Sequence, residues 1–113
     1  MIMFEHSKQG TVDLVQTNAP LTGDSVAGAA EFFESLTVSG QPRVVFGMEG
    51  IALIDSEGLE LLLDVQDRCT NRGGEMKLLQ PGPLVREILK VTEVDQRFEI
   101  YKDVVKAIGS FSR

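Results

Sequence analysis

One cysteine and one histidine are all that the 113 residues hold of the side chains most used for metal binding and nucleophilic attack. Cys69 and His6 stand far apart, so they make no zinc site, and no nucleophile–histidine pair forms around a single distant imidazole. A lone cysteine also excludes a disulfide within the chain and points to a reducing cytoplasm. Basic residues are scarce: 11 Lys and Arg against 17 Asp and Glu leave a net charge of −6. That balance argues against nucleic acid and against an anionic membrane surface as partners. No apolar run approaches the roughly 20 residues of a membrane span, so no membrane insertion is expected. The N-terminus lacks the basic-then-apolar pattern of a secretory signal. No paired carboxylates stand out for acid–base work, and no glycine-rich phosphate loop follows the first strand. The chain reads as a binding protein with no catalytic residues, no metal and no cofactor.

What is present is the alternation of an α/β domain. The length allows one domain over residues 1–113, and 42% hydrophobic with 25% charged residues is ordinary for a globular chain. Ile2 to Glu5 reads as a strand, Ser7-Lys-Gln-Gly10 as a turn, and Thr11 to Gln16 as a second strand paired back on the first. Pro20 and Gly23 mark a loop. Asp24 or Ser25 then caps a helix to Thr37, with Ala29, Ala30, Phe32, Phe33 and Leu36 on its apolar face. Arg43 to Met48 is apolar without alternation, as in a central strand covered on both faces. Gly58, Leu61, Leu62, Val65 and Cys69 form a small-or-apolar stripe at helical spacing, flanked by Leu59 and Leu63. Arg72-Gly73-Gly74 ends that helix. Glu75 to Gln80 is a strand. Pro83 opens a helix whose apolar face is Leu84, Val85, Ile88 and Leu89. Arg97 to Tyr101 alternates as a strand, and Lys102 to Ile108 is a last short helix. Met3, Met48 and Met76 read as packing residues. The order β-β-α-β-α-β-α-β-α implies a mixed, mostly parallel sheet with an N-terminal antiparallel hairpin and about four helices.

The stretch that organises this pattern is Ile51-Ala-Leu-Ile-Asp-Ser-Glu-Gly-Leu59. An apolar run climbs to Asp55-Ser56 and opens into a helix. Short polar residues there cap free backbone N–H groups, and a hydroxyl at the positive end of a helix is well placed to carry a phosphate. Spacing alone reads Ser56 first as a plain N-cap, and Asp55 likewise as a cap or turn residue. Glu49, Asp55, Glu57 and Glu60 match no calcium-loop spacing and read as a solvated rim.

Three pieces together resemble one family. Val44 to Leu59, ending in Asp-Ser-Glu-Gly-Leu, is similar to the strand, loop and helix start of STAS domains, the family of anti-sigma factor antagonists. Arg72-Gly-Gly-Glu-Met-Lys-Leu resembles the basic-Gly-Gly stretch before that family's fourth strand. Pro83-Leu-Val-Arg-Glu-Ile-Leu through Phe98-Glu-Ile-Tyr101 resembles its closing helix and strand. The resemblance implies a cytoplasmic, phosphorylation-switched interaction module of bacterial signalling. Its implied partner is an anti-sigma factor that is also a serine-protein kinase. Ser56 is then the phosphoacceptor, and Asp55, Glu57, Gly58, Leu59 and Leu63 are the candidates for partner contact.

Two positions depart from the pattern. Many members carry a second Ser or Thr where this chain has Glu57, and Gly where it has Glu93. The first bears on mechanism, since a carboxylate beside a phosphate repels it. At ~6 Å and an effective dielectric of about 20, one unit pair costs on the order of 3 kcal/mol. A carboxylate turned to solvent escapes most of that cost by screening, which is the reading adopted for Glu57. Leu59 and Leu63 read first as a widened core stripe and second as partner contacts. A response-regulator receiver is excluded, because Thr17-Asn18-Ala19 stands where its acidic residues would hold magnesium. A STAS scaffold subunit of a transporter or sensory complex, or a nucleotide-binding STAS module, remains the alternative.

Overall fold

Val44, Val45, Phe46 and Gly47 are all buried, as a strand that never alternates must be when both faces are covered. In the computed structural model, which describes residues 4–112, this strand is the middle of a five-stranded sheet. The elements run β1 (Phe4–Gln9), β2 (Val12–Thr17), α1 (Gly23–Thr37), β3 (Arg43–Gly47), α2 (Ser56–Asn71), β4 (Glu75–Leu79), α3 (Pro83–Val91), β5 (Ile100–Tyr101) and α4 (Val104–Gly109). Short 3-10 turns cover Val94–Arg97 and Ser110–Ser112. The strands lie in chain order, β1 antiparallel to β2 and every later pair parallel. The expected mixed sheet with its N-terminal hairpin and four helices is therefore the observed fold.

Strand order that never reverses, joined by right-handed crossovers, sends α1, α2 and α3 to the same face. Side chains of alternate parity divide accordingly. Val15, Val44, Phe46, Met76 and Leu78 join Phe33, Leu62, Val65, Cys69 and Leu89 in the main core. Val12, Val45 and Leu79 meet Ala107 in a smaller layer under α4. Phe33 and Phe46 meet edge to face, centroids 5.0 Å apart, a geometry that adds to plain burial. The stripe Gly58, Leu61, Leu62, Val65 and Cys69 is buried throughout, and Met48 and Met76 are fully buried.

Several expectations are corrected. Ser7, Lys8 and Gln9 continue β1 as far as Gln9, and the reversal falls at Gly10–Thr11, where Gly10 supplies φ +65°. Lys8 and His6 stay extended because both meet the Asp13 carboxylate across the hairpin, at 3.2 and 2.7 Å. Ile2 and Met3, read as strand and packing residue, lie outside the described residues. The α1 N-cap is Thr22 rather than Asp24 or Ser25, and its side chain makes no cap bond. Leu84 is 56% exposed, because only Val85 and Leu89 of its helix reach the core fully. Arg97 belongs to a 3-10 turn, entered through Glu93 at φ +61°, and only Ile100–Tyr101 pairs with β4.

Candidate functional site

Parallel strands deliver their exit loops to the same end of the sheet. The exits of β2 and β3 therefore run side by side, and a short backbone ladder fastens them. Leu21 N–H donates to the Leu53 carbonyl at 3.0 Å, and Asp55 N–H donates to the Leu21 carbonyl at 3.1 Å. Leu21 and Ile54 form a parallel bridge and are both buried. This stitch fixes where α1 and α2 begin, and it sets their N-termini next to each other.

Asp55 is the N-cap of α2, in extended backbone at φ −112°. Its Oδ1 accepts from Gly58 N–H at 3.0 Å, the expected cap bond. Its Oδ2 accepts from Gly23 N–H at 2.9 Å, the first residue of α1. One carboxylate thus caps two helices, and it does for α1 what Thr22 does not. The two amides, Gly58 first and Gly23 second, hold the Asp55 pKa below its usual 3.8. The alternative of Ser56 as the cap is corrected here: Ser56 is the first helical residue, exposed, with the capping already done by its neighbour.

The next residues follow from that start. Glu57 is exposed, and its Oε2 leans over Gly23. Gly58 is buried, and a Cβ there would overlap the Leu21 carbonyl oxygen and crowd Ile54. Only glycine lets the β2 exit loop cross the first turn of α2 this closely. Leu59 and Leu63 are half-buried against the main core, leaving part of each side chain at the surface. Asp55, Ser56, Glu57 and Gly58 are brought together; Leu63 lies two turns further along. Among the described residues, no group of three or more His, Cys, Asp and Glu is placed to hold a metal. No described helix is long and apolar enough to cross a membrane.

Two residues of this region escape a reading of the sequence. Leu53, three positions before Ser56, is 48% exposed beside the stitch. Ile51 and Ile54 on either side are buried while Ala52 and Leu53 are exposed, so the apolar run concealed a large side chain that faces out. Gly23 is 32 residues from Asp55, and nothing in local spacing couples them.

The chain matches the family model for the STAS domain over residues 4–107. None of the curated protein sequences compared with it matches. Its fold is close to that of a Thermotoga maritima protein proposed to be an anti-sigma factor antagonist, with TM-score 0.90, 20% identity, and 97% of this chain and 95% of that one covered. The anti-sigma factor antagonist SpoIIAA in its unphosphorylated form gives TM-score 0.83 at 17% identity, covering 97% and 96%. SpoIIAA in its phosphorylated form, a Bacillus cell fate determinant, gives 0.71 at 16% identity, covering 96% and 99%. A sulfate transporter family protein from Wolinella succinogenes gives 0.75 at 18% identity, covering 92% and 87%. At these identities the likeness is one of fold. With nearly the whole chain matched by the family model, the protein belongs to the STAS domain family.

Proposed function

We propose that this STAS domain is an anti-sigma factor antagonist of the cytoplasm, a binding module rather than an enzyme, whose partner is an anti-sigma factor with serine kinase activity. In its unmodified form the chain binds that partner through the surface around Ser56. Phosphorylation of Ser56 ends the binding. The observation that carries this reading is the division of labour at the start of α2. Asp55 takes the cap bond, so the Ser56 hydroxyl stands exposed without capping duty. The likeness to SpoIIAA, whose structures cover both a phosphorylated and an unphosphorylated form, supports it.

The physics of the switch is simple. A phosphoserine adds roughly −1.5 to −2 charges at the positive end of a 16-residue helix. The exposed helix end carries that charge without disturbing the core. The docked partner surface does not accept it, because a dianion there must be desolvated against a neighbour that was packed on a neutral hydroxyl. Exposed Leu53 and the outer parts of Leu59 and Leu63 supply the apolar contact.

The test is the intact mass of the protein isolated from its native source. An increment of about 80 Da mapped to the peptide containing Ser56 is expected. Its absence under every growth condition would favour a second reading, to which the Wolinella transporter-family likeness lends weight. In that reading the domain is an unmodified scaffold subunit of a larger assembly.

A further inference from the structure

We propose that Glu57 is a positioning residue that couples Ser56 to the first turn of α1, and that modification of Ser56 evicts it. The proposal rests on the switch reading above and specifies how charge at Ser56 is transmitted.

The N-terminus of α1 is capped from outside its own sequence. Thr22 makes no side-chain cap bond. Gly23 N–H is satisfied instead by Asp55 Oδ2 at 2.9 Å. A Cβ at Gly23 would lie 2.8 Å from Glu57 Oε2 and 4.0 Å from Asp55 Oδ2. Both carboxylates of the Asp55-Ser56-Glu57 triplet are therefore lodged against the start of the neighbouring helix. The backbone stitch between Leu21 and residues 53–55 keeps the two helix ends from drifting apart.

The two acids differ in freedom. Asp55 is held by two backbone amides, Gly58 and Gly23. Glu57 is exposed and longer, and it rests on Gly23 by contact alone. Ser56 stands between them in the chain, so a dianion on it repels both. Asp55 cannot yield without uncapping both helices, so Glu57 is the group that swings out. Asp24, next to Gly23, and Glu60, four residues after Ser56, are further exposed acids of the same sign. Eviction has two consequences. The first turn of α1 loses part of its negative cap and opens more often. The docking surface also gains a freed carboxylate beside the phosphate, so one modification presents two new obstacles to the partner.

Hydrogen exchange of the Ser25 and Val26 amides, which close the first turn of α1 onto the Thr22 carbonyl at 2.8 and 3.1 Å, tests this in the full chain without a kinase. Charge is supplied by Ser56→Asp, in the wild-type background and in Glu57→Gln. The substitution is expected to raise exchange at both amides about tenfold in the wild-type background. In Glu57→Gln it is expected to raise it by less than about twofold. Glu57→Asp keeps the charge but lacks a methylene of reach, and it is expected to behave as Glu57→Gln. An equal rise in all backgrounds, no rise in any, or wild-type behaviour from Glu57→Asp would overturn the proposal. Failure to find phosphate on Ser56 in native protein would remove the switch reading while leaving this coupling measurable on its own.

Discussion

Gly58 and Asp55 decide the local geometry, each through backbone rather than side-chain partners. The Cβ of alanine at position 58 meets the Leu21 carbonyl oxygen and Ile54 at once. Neither is the loose end of a flexible chain, so the β2 exit loop must move and the stitch at Leu21 must stretch. Gly58→Ala is expected to destabilise the fold by about 3 kcal/mol, seen as a lower urea midpoint with an unchanged slope. Asp55 leaves a signature in pH. Its native pKa lies below 3.8, so its contribution is complete above that value and is lost as pH falls through the native pKa. The stability gap between the protein and Asp55→Ala should be full at pH 6 and narrow steadily below about pH 3.8. A gap that does not change with pH would mean that the two amide bonds carry no differential free energy.

At the level of elements, α2 was legible because its stripe is apolar at a clean helical period and its start is announced by short polar residues. What spacing could not reveal is Gln66. It reads as one more polar residue, yet it is 3% exposed. Its Nε2 donates to the Arg97 carbonyl at 2.8 Å, and its Oε1 accepts from Met76 N–H at 2.7 Å. One side chain thus joins α2, the edge of β4 and the 3-10 turn before β5. Gln66→Leu keeps the volume but leaves an N–H and a C=O without their partner, and is expected to cost about 2–4 kcal/mol by thermal or chemical denaturation. The same turn explains why the last strand was read too long. Arg97 and Phe98 alternate in exposure as a strand would, but Arg97 lies in a 3-10 turn and only Ile100 and Tyr101 reach a pairing partner. Periodicity reports which way side chains face and is silent on whether a neighbouring strand is within reach. The α1 cap failed for a similar reason: its anion comes from Asp55, far away in sequence, and local capping rules see only local residues.

For the whole molecule, the sequential strand order sets a division of roles. Three helices cover one face and build the main core, while α4 closes the other with a smaller layer. Parallel strands bring the loops that carry Leu21 and Asp55 to one end, which is why residues distant in sequence meet around Ser56. The molecule is also unevenly charged: between Lys8 and Arg68 the only Lys or Arg is Arg43. The half of the chain that holds Ser56 is therefore acidic, so a phosphate there adds charge of the same sign as its surroundings. On such a surface the unmodified serine is neutral ground between Asp55 and Glu57, and a phosphate removes it. The central claim is tested most directly by titrating one anti-sigma partner with the unmodified chain and with the chain phosphorylated at Ser56. Tight binding of the first and a loss of about 100-fold or more for the second are expected. Equal affinity for the two forms would contradict the account.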